Sequence, residues 1–455
     1  MSTPGRPKSE YRSAQHEGTP VSTARINPAR SRTGLPAHRE HGAAALVVTM
    51  LLFFAMVLTA VFVNRNLVFE QRSSANQYRA TQAFEAAEAG LEWALAQLNG
   101  TGAIGDDCLP SGAASGGTSF RARHLQTDLA RATFTPVTWL NAGTPTPLQP
   151  SCVRGASGWS CSCPAQGMAV LTAPSGAAPA PAFLLQFQAG PKPGTVRVVS
   201  TGCTRLAGAC APASSANADA VARMQLDLGL LGGVRTAPVA TLTARGAVNA
   251  GTAAPGLHNT DPATGIAVQA GSTINAAQAR VTAPAGTSLG ASLVGNDTVL
   301  ANLSADRFFG SYFGLDKPSW RAQPTVAQVD CRSPCAAALQ AAVAAAAGPA
   351  MLWVEGDLAL AGPLTLGTAQ APVVIVVNGA ARLDGGVAIN GLLYATTLAW
   401  TGAAGQGAVL RGAAIVEADY IGDGAPEFVY DPLVLAALKG AAGSFARVSG
   451  SWRDF

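Results

Sequence analysis

The longest apolar run of the chain extends from Ala43 to Val63 and reads AAALVVTMLLFFAMVLTAVFV, 21 residues without a charge. A helix of this length measures about 30 Å, which is enough to cross a bilayer. The run is longer than the roughly 7–15-residue apolar core of a secretory signal, and no small-x-small site with a polar break follows it. The sequence therefore predicts one retained transmembrane helix over 43–63.

After this run the apolar positions become periodic. Residues 64–99 contain no Pro, no Gly precedes Gly90, and Asn99-Gly100 is a typical helix stop. Apolar residues recur at spacings of three and four, which marks one face of a helix. These are Phe84, Ala87, Leu91, Ala94, Leu95 and Leu98. We expect one helix from about Ala43 to Leu98, about 85 Å long, with an amphipathic second half that needs a partner.

Short runs of β-forming residues follow Gly100, separated by loops. They read TSFRARH (118–124), AFLLQFQAG (182–190), TVRVVSTG (195–202) and ADAVARMQLDLG (218–229). We interpret them as a small antiparallel sheet that packs on the amphipathic helix. Residues 64–233 are therefore predicted to form one α+β domain.

From residue 234 onward the chain becomes a Gly-rich region of short strand-like runs. After Met351 these runs are expected to end at Glu355-Gly356, Asn378-Gly379, Asn390-Gly391 and Arg411-Gly412. Their spacing is irregular but compatible with the rungs of a β-solenoid, and a β-sandwich is the alternative. NLSADRFFGSYFG and PCAAALQAAVAAAAG look helical and would interrupt the strands. Residues 234–455 are thus predicted to be an all-β, irregular solenoid-like domain.

Charge is distributed unevenly along the chain. Only 12% of residues are charged, and the net charge is +4. Residues 1–42 hold seven Lys/Arg and three Asp/Glu, and the rest of the chain is balanced. A basic leader before a membrane helix predicts a cytoplasmic N-terminus and export of everything after the helix. The exported part has no basic run, so we predict no nucleic-acid binding.

All eight cysteines follow the predicted membrane helix. An even number of cysteines confined to an exported region favours disulfides, and 203–210 and 331–335 are the short loops we expect to close. Zinc is disfavoured, because no His lies near and the CxxC spacing is missing. The disulfide candidates are Cys108, Cys152, Cys161, Cys163, Cys203, Cys210, Cys331 and Cys335.

Catalytic chemistry is not indicated by the sequence. The five histidines are scattered, and no hydrolase, protease or nucleotide-binding motif has the strand and helix context it needs. Asp106-Asp107 and Asp423 could suggest calcium, but they do not match the EF-hand spacing and fit exposed turns. We therefore predict no enzyme, no cofactor and no metal site.

The N-terminal run HREHGAAALVVTMLLFFAM, followed by FEQRSSANQYRATQAFEAAEAGLEWA, resembles the N-terminus of PilX-type minor pilins of the type IV pilus. The resemblance covers roughly residues 38–100. It implies that residues 1–42 are a prepilin leader, that prepilin peptidase cuts between Gly42 and Ala43, and that Ala43 becomes the mature, possibly methylated N-terminus. The implied partners are other minor pilins, the major pilin, the peptidase and the inner-membrane assembly platform.

One departure from the pilin pattern bears on function. The fifth residue after the expected cut is Val47, whereas major pilins usually have a Glu there. The large tip pseudopilin of type II secretion is similar in lacking this Glu. We therefore expect a minor pilin at or near the pilus tip that primes assembly and presents a surface-binding domain. A tip pseudopilin of type II secretion and a membrane-anchored adhesin are the alternatives. The expected location is the inner membrane, with the bulk periplasmic, and then the pilus or cell surface.

Overall fold

The computed structural model describes residues 42–111, 117–175, 180–206, 210, 220–331 and 335–454, with side chains from Ala44 onward. The predicted leader, except for its last residue, lies outside this range. The chain divides into two compact units, Met1–Glu70 and Gln71–Phe455.

The first element is a single long helix, α1 (Gly42–Leu98), of 57 residues. The absence of Pro and the late position of Gly90 allow this length, and Asn99-Gly100 ends the helix as the sequence predicts. The described residues contain one helix that is long and apolar enough to cross a membrane, and it is this one.

Between α1 and Gly232, the described residues form a short helix and nine strands. Their bounds are α2 (Phe120–His124), β1 (Leu125–Asp128), β2 (Thr133–Pro136), β3 (Thr138–Asn141), β4 (Thr144–Pro147), β5 (Ser151–Gly155), β6 (Gly158–Ser162), β7 (Ala182–Ala189), β8 (Thr195–Cys203) and β9 (Val221–Gly232).

The next region consists mostly of very short strands, with helices between them. Its elements are β10 (Ala240–Ala244), β11 (Val248–Asn249), β12 (Gly256–His258), β13 (Ile266–Ala270), β14 (Ile274–Asn275), β15 (Arg280–Thr282), a 3-10 turn (Leu289–Ser292), β16 (Leu293–Val294), α3 (Thr298–Ala301), α4 (Ala305–Phe313), α5 (Lys317–Arg321), β17 (Val326–Val329) and α6 (Cys335–Ala345).

Longer strands follow toward the C-terminus. They are β18 (Ala350–Glu355), β19 (Leu358–Ala361), β20 (Leu364–Leu366), β21 (Val373–Asp384), β22 (Val387–Thr401), β23 (Val409–Val416), β24 (Tyr420–Ile421) and β25 (Glu427–Tyr430), then α7 (Pro432–Gly440), β26 (Gly443–Arg447) and β27 (Arg453–Asp454).

An antiparallel sheet forms the first β layer, in the order β26-β9-β8-β7-β5-β6, with β27 also paired to β9. Its central strands, β7, β8 and β9, correspond to three of the four predicted runs. The fourth, TSFRARH, was predicted as a strand and is instead the short helix α2. The Ser119 side chain caps this helix by accepting a hydrogen bond from the Ala122 amide, which outweighs the β propensity of the run.

The second sheet has 16 strands, and all of its pairs are parallel. Each strand pairs in register with strands from a neighbouring pass of the chain: Val248 in β11 lies opposite Ile274 in β14 and Tyr420 in β24. Strands that are far apart in the sequence therefore lie side by side with their residues aligned. The β-sandwich alternative requires antiparallel pairing, which this sheet does not have.

Three of the four expected strand ends were placed wrongly. Glu355-Gly356 does end β18, but Asn378-Gly379, Asn390-Gly391 and Arg411-Gly412 lie inside β21, β22 and β23. The glycines serve close packing: a Cβ on Gly391 would lie 1.8 Å from the Val373 carbonyl oxygen. They mark bends at which neighbouring strands approach, and not turns that end the strands.

The two predicted helical segments are confirmed as α4 and α6, within 302–314 and 334–348. Ser304 caps α4 by accepting a hydrogen bond from the Arg307 amide. The aromatic side chains of α4 then pack with Trp320 of α5 and with Tyr394 on the parallel sheet.

The C-terminal segment belongs to a different sheet from the strands that precede it. After α7 the chain returns to the antiparallel sheet, where β26 pairs with β9 from Gly443 to Arg447 and β27 pairs with Met224 and Gln225. Residues 443–454 therefore complete the sheet of the predicted 64–233 domain.

Candidate functional site

From Ala44 to Val63, the part of α1 in the first unit presents an apolar surface on all sides. The large apolar side chains from Leu46 to Val63 are exposed, with Met50 and Phe53 each at 69%. The polar groups inside this segment are satisfied within the helix, because the Thr49 and Thr59 hydroxyls donate to the Ala45 and Ala55 carbonyl oxygens at 3.0 and 2.7 Å. This surface suits a lipid bilayer or the apolar faces of other helices.

The predicted processing junction lies at the start of this helix. Gly42 is the first helical residue, and side chains are described from Ala44 onward. Cleavage between them stays a prediction. Val47, where pilins usually carry a Glu, is an exposed apolar residue of the same surface, at 54%.

The part of α1 in the second unit is docked on the antiparallel sheet by its small residues. Ala83, Ala87 and Ala94 are fully buried. The approach is so close that a Cβ on Gly202 of β8 would lie 2.2 Å from the Ala83 carbonyl oxygen. On the helix side, a Cβ on Gly90 would meet the Ser200 hydroxyl at 2.3 Å. Backbone meets backbone here, which fixes the position of the helix on the sheet.

The predicted apolar face of α1 is confirmed in this docked part. Leu91 and Leu98 are buried, while Phe84 and Leu95 are half-buried at the edge of the same core. Sequence periodicity missed the contribution of Ala83 and Ala86, because alanine and glycine are weak signals of a buried face.

Asn99 joins the end of α1 to the C-terminal strand. Its side-chain amide donates to the Phe445 carbonyl oxygen at 3.0 Å, and its side-chain oxygen accepts from the Phe445 amide at 2.7 Å. Arg121 donates to the Leu98 and Gly443 carbonyl oxygens, each at 2.8 Å. Burial lowers the pKa of Arg121 to about 10. The sequence identified Asn99 as a helix stop but gave no signal of this long-range pairing.

The eight cysteines form four disulfides, and no described cysteine is free. Two of the bonds are the short loops expected from the sequence, and the other two lie beside the docked helix. The pairs are Cys108–Cys163, Cys152–Cys161, Cys203–Cys210 and Cys331–Cys335. Disulfide-bonded sulfurs cannot act as thiolate ligands for zinc.

The carboxylates of Asp106 and Asp107, which could suggest calcium in the sequence, make local structural contacts. Asp106 pairs with Arg123 at 2.8 Å, and the Asp107 carboxylate accepts a hydrogen bond from the Leu109 amide at 3.0 Å. Among the residues that the structure describes, no group of three or more His, Cys, Asp or Glu side chains is arranged to hold a metal ion.

Two polar clusters lie on the parallel sheet. In one, the Glu427 carboxylate accepts from His258 Nε2 at 2.7 Å and also pairs with Arg280. Burial alone would raise the pKa of Glu427, but the hydrogen bonds from Arg280 and His258 outweigh it, and the pKa is lowered. In the other, Lys317 and Glu417 pair at 2.5 Å with little exposure. Both clusters join residues from different passes of the chain.

Comparison with known families finds a similarity in the N-terminal segment. Residues 41–92 match the family model described as PilX N-terminal. This range covers the exposed apolar surface and the first turns of the docked part, so that segment of the chain is similar to PilX N-terminal domains. The match supports a type IV pilus-related pilin, as the sequence resemblance implied.

Comparisons over the whole chain are less informative. No curated protein matches the chain. Among solved structures, the chain is similar to the competence-associated pilin ComZ from Thermus thermophilus, at 16% identity and a TM-score of 0.21. The similarity covers 83% of this chain and 97% of that chain. A TM-score this low carries no conclusion about a shared fold or function.

Proposed function

We propose that the chain is a minor pilin that is anchored in the inner membrane and then assembled into a type IV pilus. The exposed apolar surface of residues 44–63, together with the PilX N-terminal match, carries this proposal. In the membrane the surface contacts lipid, and in a filament it contacts the helices of the major pilin and of other minor pilins. The exchange of lipid for apolar helices leaves no polar backbone group unsatisfied.

Processing belongs to the same proposal. The basic leader holds the N-terminus in the cytoplasm, prepilin peptidase cuts between Gly42 and Ala43, and Ala43 becomes the methylated N-terminus. The inner-membrane assembly platform then takes up the mature subunit, whose exported region lies in the periplasm until the pilus reaches the cell surface.

A place at or near the tip is supported by Val47. In a filament core, a Glu at this position would neutralise the terminal amine of a neighbouring subunit, since an unpaired buried charge is costly. A subunit with no neighbour beyond it needs no such carboxylate. The large β-rich region also fits few copies per filament better than many. We therefore propose that the protein primes assembly and presents this region for surface binding.

We further propose that the parallel sheet is an irregular, interrupted β-solenoid. The in-register stacking of β11, β14 and β24, and of β12, β15 and β25, supports it. The irregular spacing of the strand runs is then explained by loops and helices of different length inserted between passes.

The first test is the N-terminal sequence and mass of the mature protein from cells with and without prepilin peptidase. We expect the chain to begin at Ala43, with or without a methyl group, only where the peptidase is present. A Gly42→Leu variant, which changes the expected junction alone, should keep its leader. A chain that still begins at Met1 in peptidase-positive cells would contradict the pilin proposal.

Deletion separates the alternatives to a priming minor pilin. Loss of a priming minor pilin abolishes piliation. Loss of a pseudopilus tip stops type II secretion and leaves pili intact, and loss of a membrane-anchored adhesin reduces attachment and leaves both intact. We expect the first result, with piliation restored by the wild-type chain but not by Gly42→Leu.

A further inference from the structure

Three side chains with complementary reactivity meet beside the parallel sheet. Lys317 is the first residue of α5, Asn378 lies in β21, and Glu417 directly follows β23. Lys317 Nζ lies 2.5 Å from Glu417 Oε2 and 3.5 Å from Asn378 Oδ1. The side chains of Lys317 and Glu417 are only 17% and 11% exposed. An amine, an amide and a carboxylate from three distant parts of the chain are thus held together.

The surroundings hold these groups in place. The Tyr394 hydroxyl donates to Glu417 Oε2 at 2.5 Å, and Lys317 Nζ lies 5.6 Å from the centre of the Tyr394 ring. On the other side, Asn378 Nδ2 donates to Glu355 Oε1 at 2.9 Å. The Asn378 amide is therefore oriented by two contacts, with its oxygen toward the lysine and its nitrogen toward a second carboxylate.

We propose that Lys317 and Asn378 form an intramolecular isopeptide bond, with Glu417 as the proton acceptor and donor. Lysine amines are effective nucleophiles when a neighbouring base removes their proton, and fixed proximity can replace a high concentration of the reactants. The proposal does not depend on the pilin function, since it rests on this cluster alone.

The reaction is balanced without any oxidant or co-reactant. The Lys317 ammonium passes one proton to the Glu417 carboxylate, and the neutral amine attacks Asn378 Cγ to form the new C–N bond. The protonated Glu417 then delivers its proton to the amide nitrogen, and the C–N bond to that nitrogen breaks. The amide nitrogen of Asn378 leaves as ammonia. A second proton then passes from Lys317 Nζ to this ammonia, which becomes ammonium, and Nζ keeps one proton in the new amide. One amide replaces another, and the total charge is unchanged.

The test is the mass of the wild-type full-length protein, purified in detergent, reduced and alkylated at all cysteines. We expect a mass lower than that of the linear chain by one ammonia. Tandem mass spectrometry of a digest should find the two peptides that contain Lys317 and Asn378 joined through their side chains. Linear peptides with both side chains intact would overturn the proposal, and this result does not depend on any variant folding.

A second product with the same mass must be distinguished. Asn378 precedes Gly379, and an Asn-Gly pair can lose ammonia by closing a succinimide on its own backbone. The Lys317→Arg variant retains the positive charge but should regain the full mass. Loss of ammonia that persists in Lys317→Arg would identify the succinimide and overturn the isopeptide bond. Lys439→Arg, at an exposed lysine on α7, is the matched control and should still lose ammonia.

Glu417→Gln tests the role of the carboxylate. The amide retains the size of the side chain and a hydrogen-bond acceptor for Tyr394, but it cannot take a proton from the lysine. We expect the variant to stay linear, although Lys317 and Asn378 are both present. An isopeptide bond formed as completely in Glu417→Gln as in the wild type would overturn the assignment of Glu417.

Discussion

At the scale of single residues, the second unit contains a buried histidine whose burial makes its contribution to stability depend on pH. His124 is 1% exposed, and neither of its ring nitrogens has a hydrogen-bond partner among the described residues. The ring packs between Phe120 and Phe187. Burial, helped by the nearby charge of Arg123, lowers the pKa of His124 to about 3. The folded protein therefore holds this histidine neutral.

This burial predicts a loss of stability in acid. The unfolded chain binds a proton at His124 below its ordinary pKa of 6.5, whereas the folded chain does so only near pH 3. Between these values His124 destabilises the fold by about 1.4 kcal/mol for each unit that the pH falls. We expect His124→Phe to remove this dependence when denaturant unfolding is followed from pH 7 to pH 5. His258→Gln is the control that should leave the contribution of His124 in place. An equal acid loss in wild type and His124→Phe would show that His124 is not the source.

At the scale of elements, the contact of α1 with the antiparallel sheet depends on the absence of side chains. Gly202 faces the helix backbone, and any Cβ there would lie 2.3 Å from the Ala87 amide nitrogen. Because these are main-chain atoms, they cannot move aside as a flexible side chain would. The helix itself would have to shift away from β8.

We therefore expect Gly202→Ala to destabilise the second unit by about 1–3 kcal/mol, the usual cost of overpacking. Gly229→Ala is the matched control on β9 of the same sheet, because its Cβ would meet Val448 at an ordinary 3.5 Å. The stability of both variants is measured as the midpoint of denaturant unfolding. The full chain is used, in detergent and with its disulfides intact. If the two variants lost equal stability, the close contact at Gly202 would not be the cause.

The same elements show what the sequence could predict. Periodicity and the lack of helix breakers identified α1 and its stop, since both signals are local. The mistaken strand at 118–124 and the mistaken strand ends at Asn390-Gly391 and Arg411-Gly412 have another origin. A capping serine reverses a weak local preference, and a glycine required by a neighbouring strand looks the same in sequence as a glycine in a turn. The sequence around Gly391 does not show which strand lies beside it, because that strand comes from another part of the chain.

At the scale of the whole molecule, the C-terminal segment connects the two sheets of the second unit. Leu435 and Leu438 of α7 are buried in the aromatic core on the parallel sheet, and β26 follows directly on the antiparallel sheet. The Ser444 hydroxyl of β26 lies 2.7 Å from the Thr325 hydroxyl, which precedes β17. No local pattern in the sequence could indicate this return, because β26 pairs with a strand that lies far earlier in the chain.

This connection predicts that the two sheets lose stability together when β26 is weakened. Phe445 is 3% exposed and packs against Phe134 and under the Arg121 guanidinium, so Phe445→Ala should cost about 3–5 kcal/mol. Hydrogen–deuterium exchange of the full chain should then speed up in β8 and in β21 to a similar degree, since global opening exposes both. Val448→Ala, at a partly exposed position on the same segment, should leave exchange in both strands nearly unchanged. Faster exchange confined to β8 would mean that the sheets open separately and that the C-terminal segment only borders them.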